Sequence, residues 1–366
     1  KEIVKIPKKY LIFAIVALVI VGGPIVCSTL FGGGAQRFDY IGIFTDPTME
    51  SEVGTARLND ARARGEMGAG LNPTLIDRVI HNKFTFVGNN LLRNYLQPFS
   101  FDFLFNNGDP NPRHSIHEMG ELYKVEAIAL ILGLILFFSS KNQDRKVKAL
   151  IAFWVLGGII PASLTRDGGN HATRLILILP PLIFLVAYGI FSLNKISRLL
   201  TTFYILLFVM CFIFYLHNYW VHNPTYSERW WHYGFKEGIT YIKENQKDYD
   251  KVVISMAGEP SWIFFAGFYE YDPSSWQKNF PIGNDVEVFG IGKVSHIDKF
   301  YFGSPSGGDY NWGRAVDSKT LYLATAKEVN VNLIQEPERT PGNLTLLKAI
   351  PYPSGEPVFY LFTGKK

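Results

Sequence analysis

Cysteine is scarce: the 366 residues hold only two, Cys27 and Cys211, and each falls inside a long apolar run. That excludes a disulfide framework and, with no CxxC pair, a cysteine metal knuckle. Net charge is also small, a formal +4 spread along the chain with no basic, aromatic-studded stripe, so no nucleic-acid partner is expected. The chain has no Walker loop, GxSxG elbow, HExxH pair or Gly-rich dinucleotide turn, which leaves soluble-cofactor chemistry without a motif. It has no internal repeat and no low-complexity segment.

Hydrophobic residues make up 48% and aromatics 15% of the chain, yet its mean hydropathy is only +0.08. The average conceals two unlike populations. Five apolar runs stand out: Leu11–Leu30, Tyr123–Phe138, Ala149–Leu164, Leu175–Leu193 and Leu199–Leu216. Crossing a bilayer core takes ~18 to 20 residues, so the second and third are short and need tilt or flanking residues. Lys124 and Glu126, at the start of the second run, are the only charges in any of the five. Runs of this purity predict membrane spans rather than soluble core helices. The first run is longer than the apolar core of a signal sequence and lacks a clear small-residue cleavage site, so it too reads as a span.

Orientation follows from basic residues in the short loops. Lys1, Lys5, Lys8 and Lys9 precede the first span, Lys141, Arg145, Lys146 and Lys148 follow the second, and Lys195 and Arg198 follow the fourth. The positive-inside rule makes these segments cytoplasmic. Segments 31–122, 165–174 and 218–366 then face outward.

The tail changes character. "WWHYGFKEGITYIKENQ" reads as an amphipathic helix, "KVVIS" as a buried strand, "EPSWIFFAGFYEY" as a helix, "TLYLATA" as a strand and "PVFYLFTG" as a closing strand. The expected fold is a multi-pass α-helical membrane protein of about five spans with a C-terminal extracytoplasmic α/β domain. Residues 1–217 form its membrane domain, with outward loops 31–122 and 165–174, and residues 218–366 form the outer domain. The expected location is the plasma (inner) membrane.

Three polar clusters are candidate sites. In "PASLTRDGGNHATRL", Arg166, His171 and Arg174 crowd a short connection between two apolar runs. Guanidinium is planar, always charged and suited to phosphate, so a lipid phosphate could dock there. The competing reading is that these side chains snorkel to the interface and anchor the helix ends, although positive charge on the outer side runs against the topology bias. The second cluster, "FSFDFLFNNGDPNPRHSIHEMGELY", offers Asp109 as acceptor of a hydroxyl proton. His114, His117 and Glu118 are candidate ligands for a divalent metal. Its alternative role is a hydrogen-bonded scaffold of consecutive turns. The third is Glu126, an apolar-run carboxylate that water or Lys124 can relieve.

The stretches "NYLQPFSFDFLFNNGDPNPRHSIHEMGELYKVEAIALILGL" and "IPASLTRDGGNHATRLILILPPLIFLVAYGI" together resemble the C-terminal half of bacterial membrane glycosyltransferases of family 39, of the C-type fold. This is the group of the protein mannosyltransferases and the aminoarabinose transferase. "YDKVVISMAGEPSWIFFAGFYEYDPSSWQ" looks like the outer domain that follows their last span. The resemblance implies transfer of a sugar from a polyprenyl-phosphate donor to a lipid, glycan or protein acceptor on the outer face. It also implies a catalytic Asp in the first outer loop of an N-terminal half that is missing here, so no catalytic base is assigned and Asp109 stands as a local candidate. A divalent metal is the one cofactor left open. The alternative is a non-enzymatic membrane-anchored protein whose outer domain binds a ligand or partner.

Overall fold

The computed structural model describes residues 7–31, 40–256, 260–279, 286–287, 291–292, 294–305, 312–329 and 331–365. Lys1, Lys5 and the glycine-rich start of the first long loop, residues 32–39, lie outside them. The chain divides into two compact units, Lys1–Gln97 with Ile159–Gly169, and Pro98–Gly158 with Asn170–Lys366.

The first unit begins with α1 (Lys8–Phe31), whose apolar window has no buried residue, so lipid or another partner must cover it. Helices α2 (Met49–Ala63), α3 (Leu75–Ile80) and α4 (Lys83–Leu96) follow. Capping boxes start two of these: Thr74 with Asp77 opens α3, and Asn82 with Thr85 opens α4. Each satisfies backbone N–H groups that a helix start otherwise leaves unpaired. Asn94 of α4 is buried and donates from Nδ2 to Thr165 O at 2.6 Å. Residues 41–43 add an isolated antiparallel bridge, Gly42 to Thr165.

In the second unit the apolar runs become α5 (Glu126–Ser139), α6 (Arg145–Gly158), α7 (Leu179–Ile196) and α8 (Arg198–His217). Among the described residues, four stretches are long and apolar enough to cross a membrane: Lys8–Ser28, Arg145–Ser163, Ala172–Ile196 and Arg198–Tyr226. The second run is short, as expected: α5 has 14 residues, about 21 Å at 1.5 Å per residue, so a crossing there needs flanking residues. A hydrocarbon core is ~30 Å thick. Helix α5 packs along α7 through small residues: a Cβ at Gly133 would lie 1.9 Å from Leu185 O, and one at Gly189 2.0 Å from Ala129 O. Close backbone approach of this kind is how apolar helices associate where no hydrophobic drive separates them from lipid.

The C-terminal part holds a mixed six-stranded sheet. Its strands are β1 (Lys251–Ile254), β4 (His296–Ile297), β5 (Phe300–Phe302), β6 (Thr320–Thr325), β7 (Leu344–Pro351) and β8 (Pro357–Gly364), in the order β4-β5-β1-β6-β8-β7. A separate ribbon pairs β2 (Val286–Glu287) with β3 (Ile291–Gly292). β1 runs parallel to both β5 and β6, and the other pairs are antiparallel. Every residue of β6 is buried, as expected of a central strand covered on both faces. Helices α9 (Phe235–Asn245) and α10 (Ser261–Tyr269) cover one face through Phe235, Ile239, Ile242 and Phe265. Tyr322, Tyr360, Phe362 and Leu333 fill the other. All five elements expected in the tail are present.

Candidate functional site around Asp109

The segment 107–122 is turn-rich, and its sequence dictates the path. Gly108 sits at φ +64, where an L side chain is strained, and a Cβ there would also lie 2.7 Å from Met119 O. Asp109 Oδ1 accepts the Asn111 N–H at 2.8 Å, and Asn111 Oδ1 accepts the Arg113 N–H at 3.0 Å. Two successive Asx turns result. Arg113 is held in turn by Trp230 O and by His232 Nε2 at 2.7 Å.

These turns aim the other Asp109 oxygen inward. Oδ2 accepts the backbone N–H of Ala172 at 2.8 Å and lies 2.9 Å from His114 Nδ1 and 3.8 Å from His171 Nδ1. The carboxylate is buried, and the two imidazoles, 4.5 Å apart at their centroids, are mostly so. One ligand atom from each of Asp109, His114 and His171 falls within 4.8 Å of the others. A carboxylate and two imidazoles form a donor set suited to Zn²⁺ or Mn²⁺.

Glu121 belongs to the same place. The backbone of its segment is pinned by Glu121 N–H to Phe103 O at 3.3 Å and Leu122 N–H to Leu104 O at 2.8 Å. Its Oε1 is buried with no hydrogen-bond partner among the described residues. Burial, reinforced by the negative charge of Asp109, pushes its carboxyl from 4.5 up to about 7, against a smaller pull from the Asp109 backbone N–H.

Two hollows meet at this cluster. One, of about 210 Å³, is walled by apolar side chains including Phe103, Leu122, Leu175, Ile178 and Leu182 and is reached by His114 and Glu121. The other, of about 450 Å³, carries Arg113, His114, Glu121, Tyr215, Tyr219 and Trp231. His114 and Glu121 thus sit where an apolar slot meets a polar one.

The residues singled out in sequence are partly regrouped. Of the expected metal trio only His114 enters the cluster. His117 and Glu118 are exposed and 4.0 Å apart, with the His117 ring against Tyr226, because the left-handed turn at Glu118, φ 58, carries them away. Of the expected phosphate-binding set, His171 joins Asp109, and Arg174 follows one turn later with its N–H on His171 O at 3.0 Å. Arg166 belongs to the other unit, where its guanidinium lies 3.3 Å from Asp46 and over the Tyr40 ring. Sequence reasoning passed over Glu121 altogether. No spacing rule could have paired Ala172 with Asp109, 63 residues away.

Compared with protein-family models, with curated proteins and with solved structures, the chain matches none. What is established is a largely helical protein with, among the described residues, four helices long and apolar enough to cross a membrane and a C-terminal mixed sheet.

Proposed function

We propose that the chain is part of an integral-membrane glycosyltransferase of the inner membrane that moves a sugar from a polyprenyl-phosphate carrier to a lipid, glycan or protein acceptor on the outer face. One observation carries the reading: His114, held by the buried Asp109 beside His171, lines an apolar cavity along the start of a spanning-length helix. An amphiphile with a phosphate at the end of an isoprenoid needs that combination, a greasy slot ending in fixed polar groups.

In this reading the acceptor oxygen attacks the anomeric carbon as the bond to the carrier phosphate breaks, with inversion, and the departing phosphate gains charge. His171, with Arg174 one turn on, supplies donors to that oxygen, and Asp109 holds the His114 and His171 rings in place. Asp109, His114 and His171 are also the residues that would hold a divalent cation, which would supply Lewis-acid neutralisation of the phosphate. Glu121, neutral in part near pH 7, is placed to exchange a proton at the junction of the two hollows. The acceptor's proton passes to a base that is not assigned among the residues of this chain.

Membranes holding the full-length protein, incubated with a panel of labelled polyprenyl-phosphate sugars, test this. Transfer of one sugar, lowered at least 100-fold by His171→Ala and strongly by Arg174→Ala, is the expected result. Unchanged turnover in both variants, or no transfer from any donor, overturns it.

A further inference from the structure

Another hollow of the second unit is remote in the chain from Asp109 and lies on the C-terminal sheet. It measures about 740 Å³, and its place is set by topology. β1 lies between β5 and β6 and runs parallel to both. The chain leaves β1 for β5 on one side and then crosses to β6 on the other. At such a reversal the connections diverge and open a crevice beyond the carboxyl ends of the strands, where open α/β sheets bind their ligands. Ser255 directly follows β1 and Thr325 ends β6, and both line this hollow.

The lining is chemically mixed. Ser255 Oγ donates to Glu328 Oε1 at 3.2 Å, and Tyr322 OH donates to the same carboxylate at 3.0 Å, so the floor is a hydroxyl and carboxylate network. Tyr233 and Tyr352, with centroids 6.3 Å apart, form an aromatic wall. Tyr233 is 43% exposed. Arg229 lies over the Tyr352 ring at 5.8 Å, and Lys327 and Glu356 complete a rim of both signs. A nucleotide is not favoured, because the stretch after β1 reads Ser-Met-Ala-Gly-Glu-Pro, without the glycine spacing of a pyrophosphate cradle. A purely apolar ligand would strand the polar floor. A sugar ring answers both demands, with a face for tyrosine and hydroxyls that need donors and acceptors together.

We infer that the hollow at the carboxyl ends of β1 and β6 is a saccharide-binding site, with Tyr352, Tyr233 and Arg229 as its recognition residues. This does not rest on the transferase reading, since an anchored binding protein would use the same site. The test is saturation-transfer difference NMR on the full chain in sugar-free zwitterionic micelles, with glucose, mannose, N-acetylglucosamine and glucuronate offered singly. At least one sugar gives transfer that is weakened tenfold or more in Arg229→Ala and Tyr352→Ala, retained in Tyr352→Phe and retained in His171→Ala. The exposed Arg229 guards against a folding artefact at the half-buried Tyr352. No transfer from any of the four, transfer indifferent to both alanine variants, or displacement of the sugar by equimolar inorganic phosphate overturns the proposal, the last in favour of an anion site.

Discussion

His114 Nδ1 stands 2.9 Å from Asp109 Oδ2, and that same oxygen takes the Ala172 N–H at 2.8 Å. One buried carboxylate therefore ties a turn-rich loop to the start of a spanning-length helix. Asp109→Ala removes the acceptor and leaves a backbone N–H and an imidazole without it. Hydrogen bonds to charged groups contribute ~1.5 to 3 kcal/mol each, so the variant should lose about 3 kcal/mol in thermal unfolding followed in micelles. A loss under about 1 kcal/mol would mean that the loop is held by its apolar ends alone.

The same carboxylate sets up a pH dependence at Glu121. Its folded-state carboxyl titrates at about 7 rather than 4.5, so the folded protein keeps the proton that the unfolded chain gives up first. Stability from this group is complete below pH 4.5, falls as pH rises through 7 and levels off beyond. A shift of this size corresponds to on the order of 3 kcal/mol. Glu121→Gln should flatten the curve between pH 5 and 8 and be more stable than the parent at pH 8. Parallel curves for the two proteins would rule the assignment out. Zinc added at pH 7 should lower the parent's midpoint, since a cation beside Asp109 offsets the negative charge that helps to raise it.

The sequence is legible where one local rule suffices. Purity and length marked four helices of spanning length, and the tail strands followed from short β-branched and aromatic runs such as Lys251–Ile254 and Pro357–Gly364. The bounds were less legible at α5, whose apolar run begins at Tyr123 but whose helix starts only at Glu126, after a turn at Lys124 and Val125. The site was less legible because it is made by tertiary pairing. Asp109, His114 and His171 were each visible as polar residues near apolar runs, whereas their meeting depends on the Asx turns after Asp109 and on the start of a helix far along the chain. Glu121 carried no signal, because its distinction is burial beside another carboxylate and neither property is written in its neighbours.

The contact of Gly133 with Gly189 gives the sharpest packing test, since the start of α7 also walls the apolar cavity. A Cβ at Gly133 would lie 1.9 Å from a backbone oxygen of α7, and backbone cannot rotate aside as a side chain can. Gly133→Ala must therefore push α5 and α7 apart, at a cost of ~1 to 3 kcal/mol for overpacking. Gly54, in the middle of α2, has nothing within 4 Å of its would-be Cβ, so Gly54→Ala should be neutral or stabilise by up to ~1 kcal/mol through helix propensity alone. Unfolding of the two variants side by side in the same micelles separates packing from propensity. If Gly133→Ala is as stable as Gly54→Ala, the tight crossing of α5 on α7 does not hold in the folded protein, and the cavity wall that depends on it loses its support.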